Sequence, residues 1–168
     1  RHKTNETVLV RPDISTIVVY KKGETVLDTQ IVLTREFRSP ASTADGFVHE
    51  LPGGSSFKKQ EAVEIAQDEL KNEAGLVVDA SRLKPHGARQ LMATLSAHKA
   101  HVFSLELTDD ELRSLRKQSE AGITHGVAED TERTYIEIRT VREILDNQLV
   151  DWSNVGMILQ VLNDVIPE

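Results

Sequence analysis

Cysteine is absent from the 168-residue sequence, and aromatic residues make up only 4% of it. The lack of cysteine excludes disulfide bonds, thiolate nucleophiles and zinc–thiolate sites. No long uninterrupted apolar run occurs, so the sequence predicts no transmembrane helix. No signal-peptide pattern opens the chain, and we therefore expect a cytoplasmic protein. With 39% hydrophobic residues, residues 1–168 are expected to form a single domain with its own core.

Acidic residues outnumber basic ones, with 27 Asp and Glu against 20 Lys and Arg, which gives a net charge of −7. This balance disfavours nucleic acid as a partner, because nucleic-acid binding depends on neutralising phosphates with basic side chains. A small phosphorylated ligand remains compatible with an acidic protein when local arginines or a divalent cation neutralise it. The charge therefore favours a small-molecule partner.

Segments rich in β-branched residues alternate with segments of helical periodicity along the chain. We predict strands over residues 7–10, 14–20, 25–34, 47–51, 88–95, 101–107 and 134–139. We predict helices over residues 58–74, 109–120, 141–149 and 152–165. Several predicted strands follow each other directly and are expected to form hairpins. The order of strands and helices therefore predicts an α/β fold with a mixed sheet between helices rather than a doubly wound parallel sheet.

The first predicted helix follows the turn Pro52-Gly53-Gly54 and carries Glu69 and Glu73 four residues apart. Side chains at that spacing lie on one face of a helix, so both carboxylates point to the same side. Carboxylate oxygens are the ligands that Mg²⁺ and Mn²⁺ prefer, and glycines let the backbone run close to a ligand. An acid-rich helix face is also the usual pattern of a solvated surface, and that alternative stays open.

The stretch from Leu51 to Leu76 resembles the Nudix box of nucleoside diphosphate-X hydrolases. That box reads Gly, five residues, Glu, seven residues, then Arg-Glu-apolar-x-Glu-Glu-x-Gly-apolar. The matching positions here are Gly54, Glu69, Leu70, Glu73, Gly75 and Leu76. The resemblance implies a Nudix-type α/β/α sandwich in which Glu69 and Glu73 act as catalytic and metal-binding residues for Mg²⁺ or Mn²⁺.

Three charged positions of the box differ from the family pattern. Gln60 replaces a Glu, Asp68 replaces the Arg, and Asn72 replaces a metal-binding Glu. Asp68 is expected to repel Glu69, whereas the family's Arg orients that residue through an ion pair. Because the affinity of such sites follows the charge of their ligands, we expect weakened divalent-cation binding, with Glu50 or Glu64 as nearby substitutes.

Upstream, residues 31–40 resemble the segment of ADP-ribose pyrophosphatases in which a strand ends in Gln-x-Arg, with Glu36 and Arg38 at the Gln and Arg positions. Residues 48–54 resemble that subgroup's Glu-x-Pro-Ala-Gly segment. The resemblance implies that Arg38, Glu50, Gly53 and Gly54 bind the substrate. A solvated arginine at a strand end is an equally good interpretation of Arg38.

Two further segments hold candidate bases. His98 falls near the position of a loop Glu in the subgroup and is chemically suited to act as a base or a phosphate partner. A loop residue without a role is the more common interpretation of such a histidine. Residues 129–132, Glu-Asp-Thr-Glu, lie where the family often has a mobile acidic loop, and a solvated charged loop is the alternative there.

Two hypotheses of function follow from the resemblance. The first is a metal-dependent hydrolase that cleaves the pyrophosphate of a nucleoside diphosphate derivative, either ADP-ribose or a nucleotide sugar. The second is a catalytically inactive Nudix domain that binds a nucleotide ligand or a protein partner. The strand-rich region of residues 7–34 also permits a homodimer through N-terminal strands, although a hairpin folded onto its own sheet has the same sequence pattern.

Overall fold

The computed structural model describes residues 5–39, 41–126 and 133–166. Within these residues the chain forms eight strands in one mixed sheet and four α-helices. The strands are β1 Ile14–Lys21, β2 Gln30–Phe37, β3 Phe47–Glu50, β4 Gly53–Gly54, β5 Lys84–Gln90, β6 Lys99–Glu106, β7 Thr124–His125 and β8 Thr134–Thr140. The helices are α1 Ala62–Ala74, α2 Asp109–Glu120, α3 Val141–Asp146 and α4 Trp152–Val165, with a 3₁₀ turn at Ala80–Arg82.

The sheet runs in the order β5-β6-β1-β2-β8-β7, with β3 paired to β2 and β4 paired to β1. Strands β1 and β6 are parallel, and the other pairs are antiparallel. The two N-terminal strands pair with each other through Val19↔Val32 and lie inside the sheet. They thus form a hairpin on their own sheet, which was one of the two interpretations of this region.

Two hydrophobic cores lie on opposite faces of the sheet. On β1, alternate residues separate: Ile17 and Val19 belong to one core, Val18 and Tyr20 to the other. Helices α1 and α2 cover the first core, and α3 and α4 cover the second. The α/β prediction of a mixed sheet between helices is therefore confirmed, as a three-layer α/β/α arrangement.

Helix α1 begins at residue 62 rather than at the predicted residue 58, because its first turn is set by a capping box. Glu61 is the N-cap, and its backbone N–H donates to the Glu64 carboxylate at 3.0 Å. The predicted glycine stop is confirmed: Gly75 has φ 63°, in the left-handed region that favours glycine at a helix C-terminus. The buried side of α1 consists of Ala66, Leu70 and Ala74.

Three strand predictions were wrong in extent. Residues 25–28 form a turn closed by the Asp28 N–H to Thr25 O bond at 3.2 Å, so the second strand starts at Gln30. Strand β5 starts four residues earlier than predicted, at Lys84, and a turn follows from Met92. Residues 7–10 contribute only an isolated bridge between Leu9 and Ser96.

In the described ranges, no helix has the length and apolar character needed to cross a bilayer.

Candidate functional site

The Gly53–Gly54 turn runs directly over β1, where Gly53 pairs with Thr16 and Gly54 with Ser15. A Cβ on Gly53 would lie 2.5 Å from the backbone oxygen of Ser15, so the two strands approach too closely for any side chain. The Ser15 hydroxyl donates to Ala62 O at 2.7 Å and joins β1 to the start of α1. The turn and the acidic helix are therefore held in one rigid unit.

The two predicted metal-binding carboxylates both contact this turn. The Gly53 N–H donates to Glu73 Oε2 at 2.9 Å. A Cβ on Gly54 would lie 2.6 Å from the carboxyl carbon of Glu69, so that carboxylate occupies the space which the missing side chain leaves. The sequence prediction that Glu69 and Glu73 share one side of α1 and meet the glycine turn agrees with this geometry.

Glu73 is electrostatically perturbed. Burial raises the pKa of its carboxyl to about 8 from an ordinary 4.5, and the negative charges of Glu69 and Glu36 raise it as well. The Gly53 hydrogen bond and Arg38 act in the opposite direction. A buried carboxyl beside like charges carries a proton at neutral pH unless a cation takes the place of that proton.

Arg38 lies among the acids next to this pair. Its guanidinium is 2.9 Å from Glu36 Oε2 and 3.4 Å from Glu50 Oε2. Glu36 is nearly fully buried, whereas Arg38 and Glu50 are partly exposed. Arg38 therefore has a structural role as counter-ion to Glu36 as well as an exposed side, so it is more than a solvated strand-end residue.

A cleft of about 430 Å³ opens beside the turn. Its wall includes all four residues predicted to bind substrate, namely Arg38, Glu50, Gly53 and Gly54. Glu69 and Glu73 are not part of that wall, but they contact the two glycines that are. The structure thus brings the six predicted site residues together around one turn.

His98 also lies on the cleft wall. It is 8% exposed, and its Nδ1 is 2.6 Å from the Ser96 hydroxyl oxygen. Within the described ranges the other ring nitrogen, Nε2, has no hydrogen-bond partner. The Ser96 contact fixes the ring, so a residue that sequence reasoning favoured as a loop position without a role is held at the candidate site.

Sequence reasoning missed two further residues of the cleft wall, Arg11 and Asn154. Arg11 is exposed and forms no ion pair with any residue that the structure describes. Asn154 is buried and accepts the Leu51 N–H at 3.0 Å, which fixes the residue before the glycine turn. Asn154 gave no distinct signal, because α4 holds other polar residues as well, and Arg11 gave none because it lies in an irregular segment.

The other candidate acids are used elsewhere or lie outside the described residues. Glu64 caps α1, and Asp68 accepts the Gln60 side-chain amide at 3.1 Å. Residues 129–132 fall outside the described ranges. Among the residues that are described, no group of three or more His, Asp or Glu side chains is arranged to hold a metal ion. The carboxylates at the glycine turn that could take part in holding a cation are Glu69 and Glu73. Mg²⁺ commonly uses one or two carboxylates together with water and substrate phosphates.

A larger cavity, of about 470 Å³, lies elsewhere, along β8 and the end of α2. Its charged wall residues balance, with three arginines against three glutamates: Arg35, Arg116, Arg139, Glu120, Glu137 and Glu143. None of the six predicted site residues lines this larger cavity. The smaller cleft is therefore the candidate site, because predicted site residues line it and none of them lines the larger cavity.

The two glycines predict separable effects of alanine substitution. Gly54→Ala places its Cβ against the flexible Glu69 carboxylate, so we expect about 10- to 100-fold weaker Mn²⁺ binding with little change in stability. Gly53→Ala places its Cβ against backbone atoms of Ser15 and Thr16, so we expect a loss of about 1–3 kcal/mol in the free energy of unfolding. Urea unfolding and Mn²⁺ titration of both variants check this. Equal stability losses would contradict the packing described here.

No family model matches this chain. No curated protein matches it. Solved structures do match, among them a T. brucei MERS1–RNA complex, which is 19% identical with a TM-score of 0.48. The match covers 59% of this chain and 35% of that one, so the chain spans about a third of its length. A likeness of this extent assigns neither a family nor a ligand.

Proposed function

We propose that this chain is a Nudix-like hydrolase that cleaves the pyrophosphate of a nucleoside diphosphate derivative, either ADP-ribose or a nucleotide sugar, with Mg²⁺ or Mn²⁺. The observation that carries the proposal is the pair of carboxylates at the glycine turn: Glu73 accepts the Gly53 N–H and has a raised pKa, and Glu69 lies against Gly54. Divalent cations satisfy such a pair of carboxylates and, in the same step, neutralise a diphosphate. A cytoplasmic location is part of the same proposal.

Six residues of the cleft wall have distinct parts in this proposal. Arg38 and Arg11 supply the positive charge that holds a phosphate at the mouth of the cleft. Gly53 and Gly54 let the ligand approach the backbone, and Glu50 stays paired with Arg38 and sets the guanidinium orientation. Asn154 keeps the turn in place through the Leu51 amide.

The reaction forms a bond between a water oxygen and one phosphorus and breaks the bridging P–O bond, which gives AMP and ribose 5-phosphate in the case of ADP-ribose. A bound divalent cation supplies charge neutralisation and lowers the pKa of water. Glu69 and Glu73 hold their negative charge toward the turn, and Arg38 stabilises charge on the phosphate that leaves. His98 lines the cleft, its ring is fixed by Ser96, and its Nε2 is suited to accept the proton of the water.

The second candidate function is a nucleotide-binding domain without turnover, and specific observations favour it. Positions that carry metal-binding or orienting charge in the resembled family hold Gln60, Asp68 and Asn72 here. The Arg38 guanidinium is already engaged by Glu36 and Glu50. In this case the cleft binds a nucleotide, or the domain binds a protein partner, and no bond is broken.

A substrate panel separates the two functions. Release of monophosphate is measured from ADP-ribose, nucleotide sugars, dinucleoside polyphosphates and nucleoside triphosphates, with Mg²⁺, with Mn²⁺ and with EDTA. The proposal expects turnover of a nucleoside diphosphate derivative that EDTA abolishes. Absence of turnover across the panel, together with thermal stabilisation by one of these compounds, would favour the binding domain instead. Absence of both effects would overturn the hydrolase and the nucleotide-binding domain.

A further inference from the structure

The outer edge of strand β8 is open over most of its length. On one side, β8 pairs with β2 along residues 135–140. On the other side, β7 pairs only with Thr134 and Tyr135. In the ranges that the structure describes, no strand pairs with the outer side of residues 136–140, which we call the open edge. Because an unpaired edge offers backbone groups to a further strand, the open edge is a candidate surface for strand addition.

The backbone groups of the open edge point outward at every second residue. The Val141 N–H donates to Thr29 O at 2.9 Å, so every second residue back along β8 directs its backbone groups to β2. The residues between them, Ile136 and Ile138, therefore turn their N–H and C=O groups away from the sheet. The Thr140 N–H serves the capping box of α3 instead of β2, which agrees with this alternation.

The larger cavity, of about 470 Å³, runs along the open edge. Its wall contains every residue of the open edge, together with Ser119 and Glu120 at the end of α2. Most of the other wall residues are charged or polar, so the cavity offers hydrogen bonds and charges and has little apolar surface. Such a wall suits an extended strand with polar side chains, because strand addition depends on main-chain hydrogen bonds.

The two ends of the open edge define how a second copy of β8 fits there. β7 occupies the edge as far as Tyr135, and the strand ends at Thr140, the N-cap of α3. Two identical edges related by a two-fold axis pair antiparallel, since each must make the same contacts as the other. The two open edges overlap completely, and neither strand meets the β7 of the other copy, when Ile138 of one copy faces Ile138 of the other.

This register places Glu137 of each copy opposite Arg139 of the other. Opposite charges that face each other across an antiparallel pair stabilise it, and like charges destabilise it. The neighbouring symmetric registers that keep outward backbone groups matched are centred on residue 137 or 139, so each sets two like charges face to face. Charged side chains exclude most strands from an edge, but this pair is complementary to its own copy.

Both charged side chains are close enough to exchange partners between copies. Within one chain, the Arg139 guanidinium is 2.7 Å from Glu137 Oε2, and both side chains are partly exposed. Glu137 Oε2 is also 3.2 Å from His49 Nε2, which helps to hold the carboxylate near the strand. Pairing of two copies therefore brings each arginine to the carboxylate of the other copy with only a small movement of the side chain.

We propose that a second copy of this chain pairs antiparallel with the open edge of β8, around a two-fold axis at Ile138, so that one sheet continues through both copies. Backbone hydrogen bonds join Ile138 of the two copies, and a Glu137–Arg139 ion pair lies on either side of the axis. The dimer does not depend on the function proposed above, since none of the six predicted site residues lines the larger cavity. A short strand pairing is smaller than a standard protein interface, so the dissociation constant is expected to be on the order of micromolar or weaker.

Sedimentation equilibrium of the whole chain, over a concentration series that reaches the millimolar range, measures the dimer. Wild type is expected to dimerise, and less so at high salt, because salt screens exposed ion pairs. Glu137→Arg and Arg139→Glu each set like charges face to face across the axis, so each is expected to weaken the dimer at least about 10-fold. Circular dichroism of each variant checks that it is folded.

Mixing the two variants tests the register itself. A mixture of Glu137→Arg and Arg139→Glu brings opposite charges together at both contacts, so we expect a heterodimer from two variants that dimerise poorly alone. The double variant with both substitutions also restores opposite charges and is expected to dimerise like wild type, which keeps the test valid if one single variant is unfolded. Arg113→Glu is the matched control, because Arg113 is exposed on α2 and does not line the larger cavity.

We expect Arg113→Glu to dimerise like wild type. Wild type that stays monomeric across the whole concentration series would overturn the pairing of two copies. Dimers that persist unchanged in both single variants would place the interface elsewhere and overturn it as well. Failure of both the mixture and the double variant to dimerise, with the proteins folded, would overturn the register centred on Ile138.

Discussion

Replacing Glu73 by glutamine is expected to lower metal-dependent hydrolysis by more than about 100-fold, beyond the 10- to 100-fold typical of groups that only surround a metal ligand. Glutamine keeps the shape of the side chain and still accepts the Gly53 N–H. It carries no negative charge, however, and cannot compete for a divalent cation as a carboxylate does. The measurement is the rate of monophosphate release at saturating Mg²⁺.

Glu64→Gln is the matched control for that variant. It makes the same substitution on the same helix, but Glu64 is bound to the Glu61 N–H in the capping box, a position where glutamine serves equally well. We expect Glu64→Gln to keep wild-type activity and stability. Wild-type activity in Glu73→Gln, or an equal loss in both variants, would contradict the assignment of Glu73 as a cation ligand.

The protein is expected to lose stability as the pH rises through the titration range of Glu73, and Glu73→Gln is expected to remove that loss. The folded protein holds the Glu73 proton up to a pKa of about 8, chiefly because of burial, whereas an ordinary carboxyl releases it near 4.5. Between these values the folded state binds more protons than the unfolded state, so its free energy of unfolding falls with increasing pH. The size of the effect is on the order of a few kcal/mol at most.

The difference in the free energy of unfolding between wild type and Glu73→Gln reports on Glu73 alone, because all other titrating groups are present in both proteins. Urea unfolding at intervals from pH 4.5 to pH 8 is expected to give equal free energies at the acid end and a more stable Glu73→Gln variant at the alkaline end. Saturating Mg²⁺ is expected to reduce the loss of stability of wild type at alkaline pH, because a cation stabilises the charged carboxylate. Parallel curves for both proteins would show that Glu73 titrates normally.

Local sequence signals predicted much of the fold. Helix α2 has the predicted bounds because Thr108 and Glu111 form a capping box and acids fill the first turn. Gly75 predicted the end of α1 correctly, because a glycine in the left-handed conformation is a local signal of a helix C-terminus. The predicted strand bounds were wrong where pairing between distant segments, rather than the local sequence, determines the structure. Residues 25–28 are rich in strand-forming types but close a turn, and Pro85 stands in β5 because that strand lies at one end of the sheet, where a missing N–H costs little.

The composition of the candidate site was partly readable from the sequence. Helical spacing placed Glu69 and Glu73 together, and the glycine turn before the helix placed Gly53 and Gly54 near them. The pairing of Arg38 with the buried Glu36 could not be predicted, because it depends on how the end of strand β2 brings both side chains near Glu73. Arg11 could not be predicted either, because it lies in an irregular segment that reaches the cleft only through the fold.

The measurement that tests the central claim most directly is Mn²⁺ binding, followed by electron paramagnetic resonance in the presence of the methylene analogue of ADP-ribose. Mn²⁺ is a close substitute for Mg²⁺ at carboxylate sites, and the signal of the free ion falls as it binds. We predict that wild type and Glu64→Gln bind Mn²⁺ and that Glu73→Gln binds it at least about 10-fold more weakly. Equal Mn²⁺ binding by wild type and Glu73→Gln would contradict a cation site on the acidic helix.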